Sequence, residues 1–239
     1  MQDLTPQGVL ALGDSITNGG GELQWGVALQ SWTQWLARGL GLPLTNHAID
    51  GATVADVLAV EIPRHEQAGA RPHAPFDVGC LYIGVNDVRG PAWDAGAYAD
   101  GIGTVLGWLG ERCERRLVCT LPVDLGRPRA RDIAEANRIV RAAAAAHGAL
   151  VVDLSDFGAR NQVMVDHVHP SAFGQIAIAE RALRVLADDG LPTRLAPSSL
   201  IAYETTRRGR LRSDWTYAYR HGKVSLGAWW SRRRPSRSS

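Results

Sequence analysis

The feature that most constrains this chain is an alternation. Short apolar runs, each bounded by polar, glycine or proline residues, are separated by segments of helical period. The runs at 8–12, 44–49, 76–83, 116–121 and 149–154 are apolar at most positions, as strands covered on both faces are. Trp25, Leu29, Trp32, Leu36 and Leu40 recur at intervals of four, three, four and four, which predicts one shared helical face. Ile133, Ala136, Val140 and Ala143 repeat the pattern within 129–147, with Gly148 as a stop. Ile176, Ala179, Leu183 and Leu186 mark a last helix that ends at Gly190. Strands alternating with helices predict a parallel sheet covered by helices on both faces. In such sheets reactive groups gather on the loops beyond the carboxyl ends of the strands, and every motif can be tested against that rule.

Composition narrows the class. At 239 residues the chain can bury one sizeable α/β core. No run of 18 or more apolar residues appears, so nothing reads as a transmembrane helix. The first residues, Met1 to Pro6, lack the basic and apolar regions of a secretory signal, and a cytoplasmic setting is expected. Three cysteines without C-x-x-C spacing argue against a disulfide scaffold or a zinc site, and Cys80 and Cys119 fall in apolar runs. Charge divides the chain at about residue 190. Residues 191–239 hold eleven basic and two acidic side chains, a balance of +9, which leaves −7 on residues 1–190. The chain therefore reads as a main domain, 1–190, with a basic, arginine- and aromatic-rich extension, 191–239. Folding back on the acidic domain, disorder, and contact with an anionic membrane or nucleic acid are three open readings of that extension.

Four short blocks carry candidate chemistry. Gly13-Asp14-Ser15 follows the first strand, where a serine can present its hydroxyl and its own N–H to a substrate; a turn or helix-cap serine is the plainer reading. Asp166-His167-Val168-His169-Pro170 precedes the last helix and offers a base with a carboxylate to orient it, or else a metal-binding loop. Gly51, after the second strand, allows close approach of a backbone N–H, and Asn86, after the third, can donate from its amide. Singly, these last two are ordinary turn residues.

Together the blocks resemble those of the SGNH hydrolases, also called the GDSL esterase/lipase family. Gly13-Asp14-Ser15, Gly51, Gly84-x-Asn86-Asp87 and Asp166-x-x-His169-Pro170 match in chain order over roughly residues 8–187, with Ile16 where the family name has leucine. The resemblance implies a three-layer α/β/α sandwich on a flavodoxin-like, five-stranded parallel sheet. It also implies Ser15 as nucleophile, His169 as base and Asp166 as its orienting acid. The oxyanion hole would be the Ser15 and Gly51 N–H groups with the Asn86 side chain. Neither metal nor cofactor is needed. His167 is then a bystander, Asp14 and Asp87 organise loops, and Asp153 is a rival triad acid.

The implied reaction is hydrolysis of small or short-chain esters through an acyl-enzyme. Acyl transfer to an alcohol, and a binding module that retains the fold, are the alternatives. Flanking loops supply further candidates: the glycine-rich stretch 17–22, then Arg89, Pro91 and Trp93, then Arg127, Arg129 and Arg131, which raise the possibility of an anionic substrate.

Overall fold

A computed structural model of the chain describes residues 8–21, 27, 29–68, 75–159, 161–201, 215 and 219. Five strands, β1 (Val9–Gly13), β2 (Leu44–Asn46), β3 (Phe76–Tyr82), β4 (Cys113–Cys119) and β5 (Leu150–Val152), form one sheet in the order β2-β1-β3-β4-β5. Every pairing is parallel. This is the flavodoxin-like order, whose switch point lies between β1 and β3. β1 and most of β3 are buried on both faces, which is why alternation is absent from their sequences.

Helices cover both faces. On one side α2 (Trp32–Leu40) packs against α8 (Ala172–Asp188). On the other α6 (Ala95–Gly110) packs against α7 (Ile133–His147). Three short helices flank the strand ends: α1 (Ser15–Asn18), α3 (Val54–Asp56) and α5 (Val85–Arg89). α3 runs through a π-helical turn, Val57–Glu61, into α4 (Ile62–Gln67).

Several expected boundaries move, each for a local reason. The helix predicted from Trp25 starts only at Trp32, because the Ser31 hydroxyl accepts the Gln34 N–H and caps it there. Leu29 precedes that helix, and Trp25 lies outside the described residues. β2 stops at Asn46 rather than Ile49 because the Asn46 side chain takes the Ala48 N–H in a turn. β5 ends at Val152, where the Asp153 carboxylate accepts the Ser155 N–H. β4 begins three residues early, at Cys113, across Glu114 and Arg115, which carry no apolar signal. No periodicity in the sequence predicts α3, α4, α5 or α6.

Beyond α8 the chain turns back onto the same face. The Arg194 and Leu195 N–H groups bond to Gly39 O at the end of α2, and Ser198 N–H bonds to Glu180. A 3₁₀ turn follows at Pro197–Leu200. The rest of the basic extension, apart from the exposed Trp215 and Tyr219, lies outside the described residues. No helix among the described residues is long and apolar enough to cross a membrane.

Candidate active site

Ser15 is the first residue of α1, immediately after β1. Asp14 caps that helix: its Oδ1 accepts the Ile16 N–H at 2.9 Å while its Oδ2 is buried without a partner. Burial pushes the Asp14 pKa up to about 7. The short helix is pinned from below by Gln175 of α8, which is fully buried. Its Nε2 donates to Ile16 O at 3.0 Å and Gly20 O at 3.1 Å, and its Oε1 accepts the Trp32 N–H at 2.7 Å. Gln175 escaped the sequence reading because a lone polar residue on an apolar helix face announces no partner.

The 166–169 loop reaches Ser15 from the other side. The His169 Nε2 lies 2.9 Å from Ser15 Oγ, and Nδ1 lies 2.7 Å from Asp166 Oδ2. Asp166 uses its other oxygen to accept the Val168 and His169 N–H groups at 2.9 and 3.1 Å, so the carboxylate shapes the loop as well as holding the ring. The loop passes through a positive φ of 54° at His167. Hydrogen bonding to Asp166 raises the His169 pKa above its ordinary value, against an opposing effect of burial. Asp166 is held below the usual carboxylate range: burial acts to raise it, but the bonds from His169 and the two backbone N–H groups prevail.

Gly20 completes this side. A Cβ built there would stand 2.8 Å from Ser15 O and 3.1 Å from His169 Cδ2, so only glycine lets the chain pass beside the imidazole. That close approach is invisible in a glycine-rich stretch read as sequence.

The other two blocks follow β2 and β3, the strands on either side of β1. Asn86, on α5 after β3, donates from Nδ2 to Ala52 O at 2.9 Å, which ties it to the Gly51 loop. That leaves the second amide hydrogen for another acceptor. Gly51 has a φ of 79°, and no atom stands near its Cα on the side where a Cβ would point. Among the described residues, neither the Ser15 N–H nor the Gly51 N–H has a hydrogen-bond partner. Asp87 accepts the Val54 N–H at 3.1 Å and, like Asp14, organises a loop.

Other candidates fall elsewhere. Asp153 bonds to Thr120 and pairs with Arg141 at 2.9 Å, away from His169. His167 points to Arg127 and Asp124, at 2.9 and 3.2 Å. Arg127 is also held by Asp124, and Arg129 donates to Val123 O, so two of the loop arginines are engaged internally. Cys80, Cys113 and Cys119 are buried free thiols. Among the described residues no group of three or more His, Cys, Asp or Glu side chains is placed to hold a metal.

A doubly wound parallel sheet with a serine, a histidine and an aspartate hydrogen-bonded in series at its switch point has the architecture of a serine-type ester hydrolase. The model of the GDSL-like Lipase/Acylhydrolase family matches residues 11–176, and the chain belongs to that family. It is a carboxylic ester hydrolase. No curated protein sequence matches it. Among solved structures it resembles the acetylxylan esterase Axe2 from Geobacillus stearothermophilus, with a TM-score of 0.60 and 20% identity over 77% of this chain and 96% of that one. It also resembles LAE5, an alpha/beta hydrolase enzyme from the metagenome of Lake Arreo, Spain, with a TM-score of 0.59 and 20% identity over 75% and 94%. At such identities the likeness is one of fold. Catalytic mutants of Axe2 replace a serine, an aspartate or a histidine by alanine, and that aspartate and histidine are three positions apart.

Proposed function

We propose that the protein cleaves carboxylic esters by a two-step acyl transfer in which Ser15 is the nucleophile, His169 the general base and Asp166 the group that orients His169. The observation that carries this reading is the continuous bond series from Ser15 Oγ to His169 Nε2 and from His169 Nδ1 to Asp166 Oδ2. Nε2 takes the hydroxyl proton as Oγ attacks the ester carbonyl, and Asp166 stabilises the imidazolium that forms. The same proton then goes to the departing alcohol. Water attacks the acyl-enzyme in the second step, with His169 again as base. The oxyanion is held by the Ser15 and Gly51 N–H groups, which have no partner among the described residues, and by the second hydrogen of the Asn86 amide. One such donor is typically worth about 10²–10³ in turnover. The spacing of the exchanged aspartate and histidine in Axe2 is that of Asp166 and His169, which supports the assignment.

Asn86 also lines an open groove, and its presence there supports placing the acyl group in that groove. This space of about 660 Å³ is lined chiefly by apolar groups, among them Val54, Leu58, Pro91, Trp93 and Tyr98. Short acyl chains fill only part of it, so the substrate range extends from short chains towards medium-length ones. Hydrolysis of p-nitrophenyl esters of increasing acyl length, run beside Ser15→Ala, tests both points. The wild type is expected to turn over and to react with a fluorophosphonate probe, and the folded Ser15→Ala variant to do neither. Equal activity in the two proteins would refute the assignment, and a profile that ends at acetyl would refute the acyl groove.

A further inference from the structure

A buried carboxyl group that the proposed reaction does not use lies beneath the two loops that carry Ser15 and Gly51. Glu61 is the last residue of the π-helical turn Val57–Glu61 and is fully buried. Its Oε2 accepts the Gly13 N–H at 2.9 Å, and its Oε1 accepts the Ile49 N–H at 3.2 Å. Gly13 is two residues before Ser15, and Ile49 is two residues before Gly51. One side chain therefore reaches both segments two residues before each working N–H group, sharing the Ile49 N–H with Gly13 O.

The backbone explains why something must stand there. The β1–β2 ladder ends at Ala11 and Asn46, although His47 N–H still bonds to Ala11 O and Ile49 N–H to Gly13 O. Past that point β2 peels away, and the Gly13 N–H would face the interior without an acceptor. Burying such a donor unpaired is costly, and so is burying a carboxyl group; here each satisfies the other. The widened turn fits such a role, because π turns inside α-helices are frequent at functional sites.

We infer that Glu61 is a positioning residue for ester hydrolysis, a buried clamp that fixes the separation of the Ser15 and Gly51 loops so that both N–H groups meet one oxyanion. The inference rests on the assignment of Ser15 and Gly51 given above. Whether ionised or protonated, both carboxyl oxygens accept hydrogen bonds, whereas the nitrogen of a glutamine amide cannot. Glu61→Gln therefore keeps the volume and turns one of the two acceptors into a donor facing a donor.

The test compares wild type, Glu61→Gln, Glu61→Asp and Ser15→Ala in p-nitrophenyl ester hydrolysis and in inhibition by an alkylboronic acid that mimics the tetrahedral intermediate. For both Glu61 variants kcat is expected to fall about ten- to a hundredfold, as for a reacting group displaced by up to an ångström. KM should change less than threefold, and the boronic acid should weaken in step with kcat/KM. Loss of packing alone would lower the amount of folded enzyme without separating inhibitor affinity from KM. The aspartate variant, a methylene shorter but still a carboxylate, decides the matter if the glutamine variant does not fold. A folded variant of either kind with wild-type kcat and inhibitor affinity overturns the inference. Full activity in Ser15→Ala would instead overturn the assignment on which it rests.

Discussion

Replacing Asp166 by asparagine tests the proposed site most sharply, because the structure predicts what survives and what is lost. Asparagine is isosteric and keeps an oxygen for the Val168 and His169 N–H groups, so the loop should retain its shape. Its amide nitrogen would then face His169 Nδ1, across the 2.7 Å now spanned by a carboxylate. A donor there favours the tautomer with the proton on Nε2, which cannot accept one from Ser15. The negative charge that stabilises the imidazolium is removed at the same time. Such a substitution in a serine triad costs about 10⁴ in turnover. The Asp166 side chain is 39% exposed, so solvent weakens its effect, and about 10³ is the better lower bound. The expected loss is thus about 10³–10⁴ in kcat, roughly 4–5.5 kcal/mol. Hydrogen bonding to Asp166 is also the largest influence raising the His169 pKa, so its removal lowers that pKa. His169 must be neutral to act as base; activity is therefore lost as pH falls through its pKa, and in the variant the residual acid limb moves to lower pH. The assay is kcat and kcat/KM for a p-nitrophenyl ester from pH 5 to 9, with thermal melting to verify folding. A folded variant within threefold of wild type, with an unmoved acid limb, would refute the role given to Asp166.

Three further outcomes follow from the geometry. Gly20→Ala places a methyl against Ser15 O and His169 Cδ2, and turnover of the folded variant should fall about ten- to a hundredfold while overpacking costs about 1–3 kcal/mol of stability; unchanged kcat would show that the imidazole has room to spare. Arg89 acts electrostatically to lower the His169 pKa, so Arg89→Gln should move the acid limb of kcat/KM to higher pH, most at low ionic strength; identical profiles in 10 mM and 500 mM salt would contradict this. Ser171 caps α8 by accepting the Gly174 N–H and also donates to Asn161 O, so Ser171→Ala should lower stability by about 1–2 kcal/mol in urea unfolding, and a loss below 0.3 kcal/mol would count against the cap.

The parts of this protein legible in its sequence are those carried by short, local signals. Buried parallel strands must be apolar on both faces, so β1 and β3 stand out as uninterrupted runs. Asp166 and His169 share one turn, and their spacing alone is enough to suggest that they meet. The resemblance to the family then relates them to Ser15, 151 residues earlier than Asp166. Residues whose work is defined by a distant partner stayed hidden. Glu61 reads as a charged residue in an unremarked segment until β1 brings it the Gly13 N–H and the chain after β2 shares the Ile49 N–H with it. Gln175 reads as a helix polar residue until Ile16, Gly20 and Trp32 surround it. Gly20 is one of three adjacent glycines until the imidazole of His169 passes beside it. The sequence by itself determined the fold class and the chemical groups at the strand ends, because apolar periodicity and motif spacing are local properties. Only the tertiary structure decided which buried donors met which acceptors, because hydrogen-bond satisfaction depends on segments that become neighbours only when the sheet has formed.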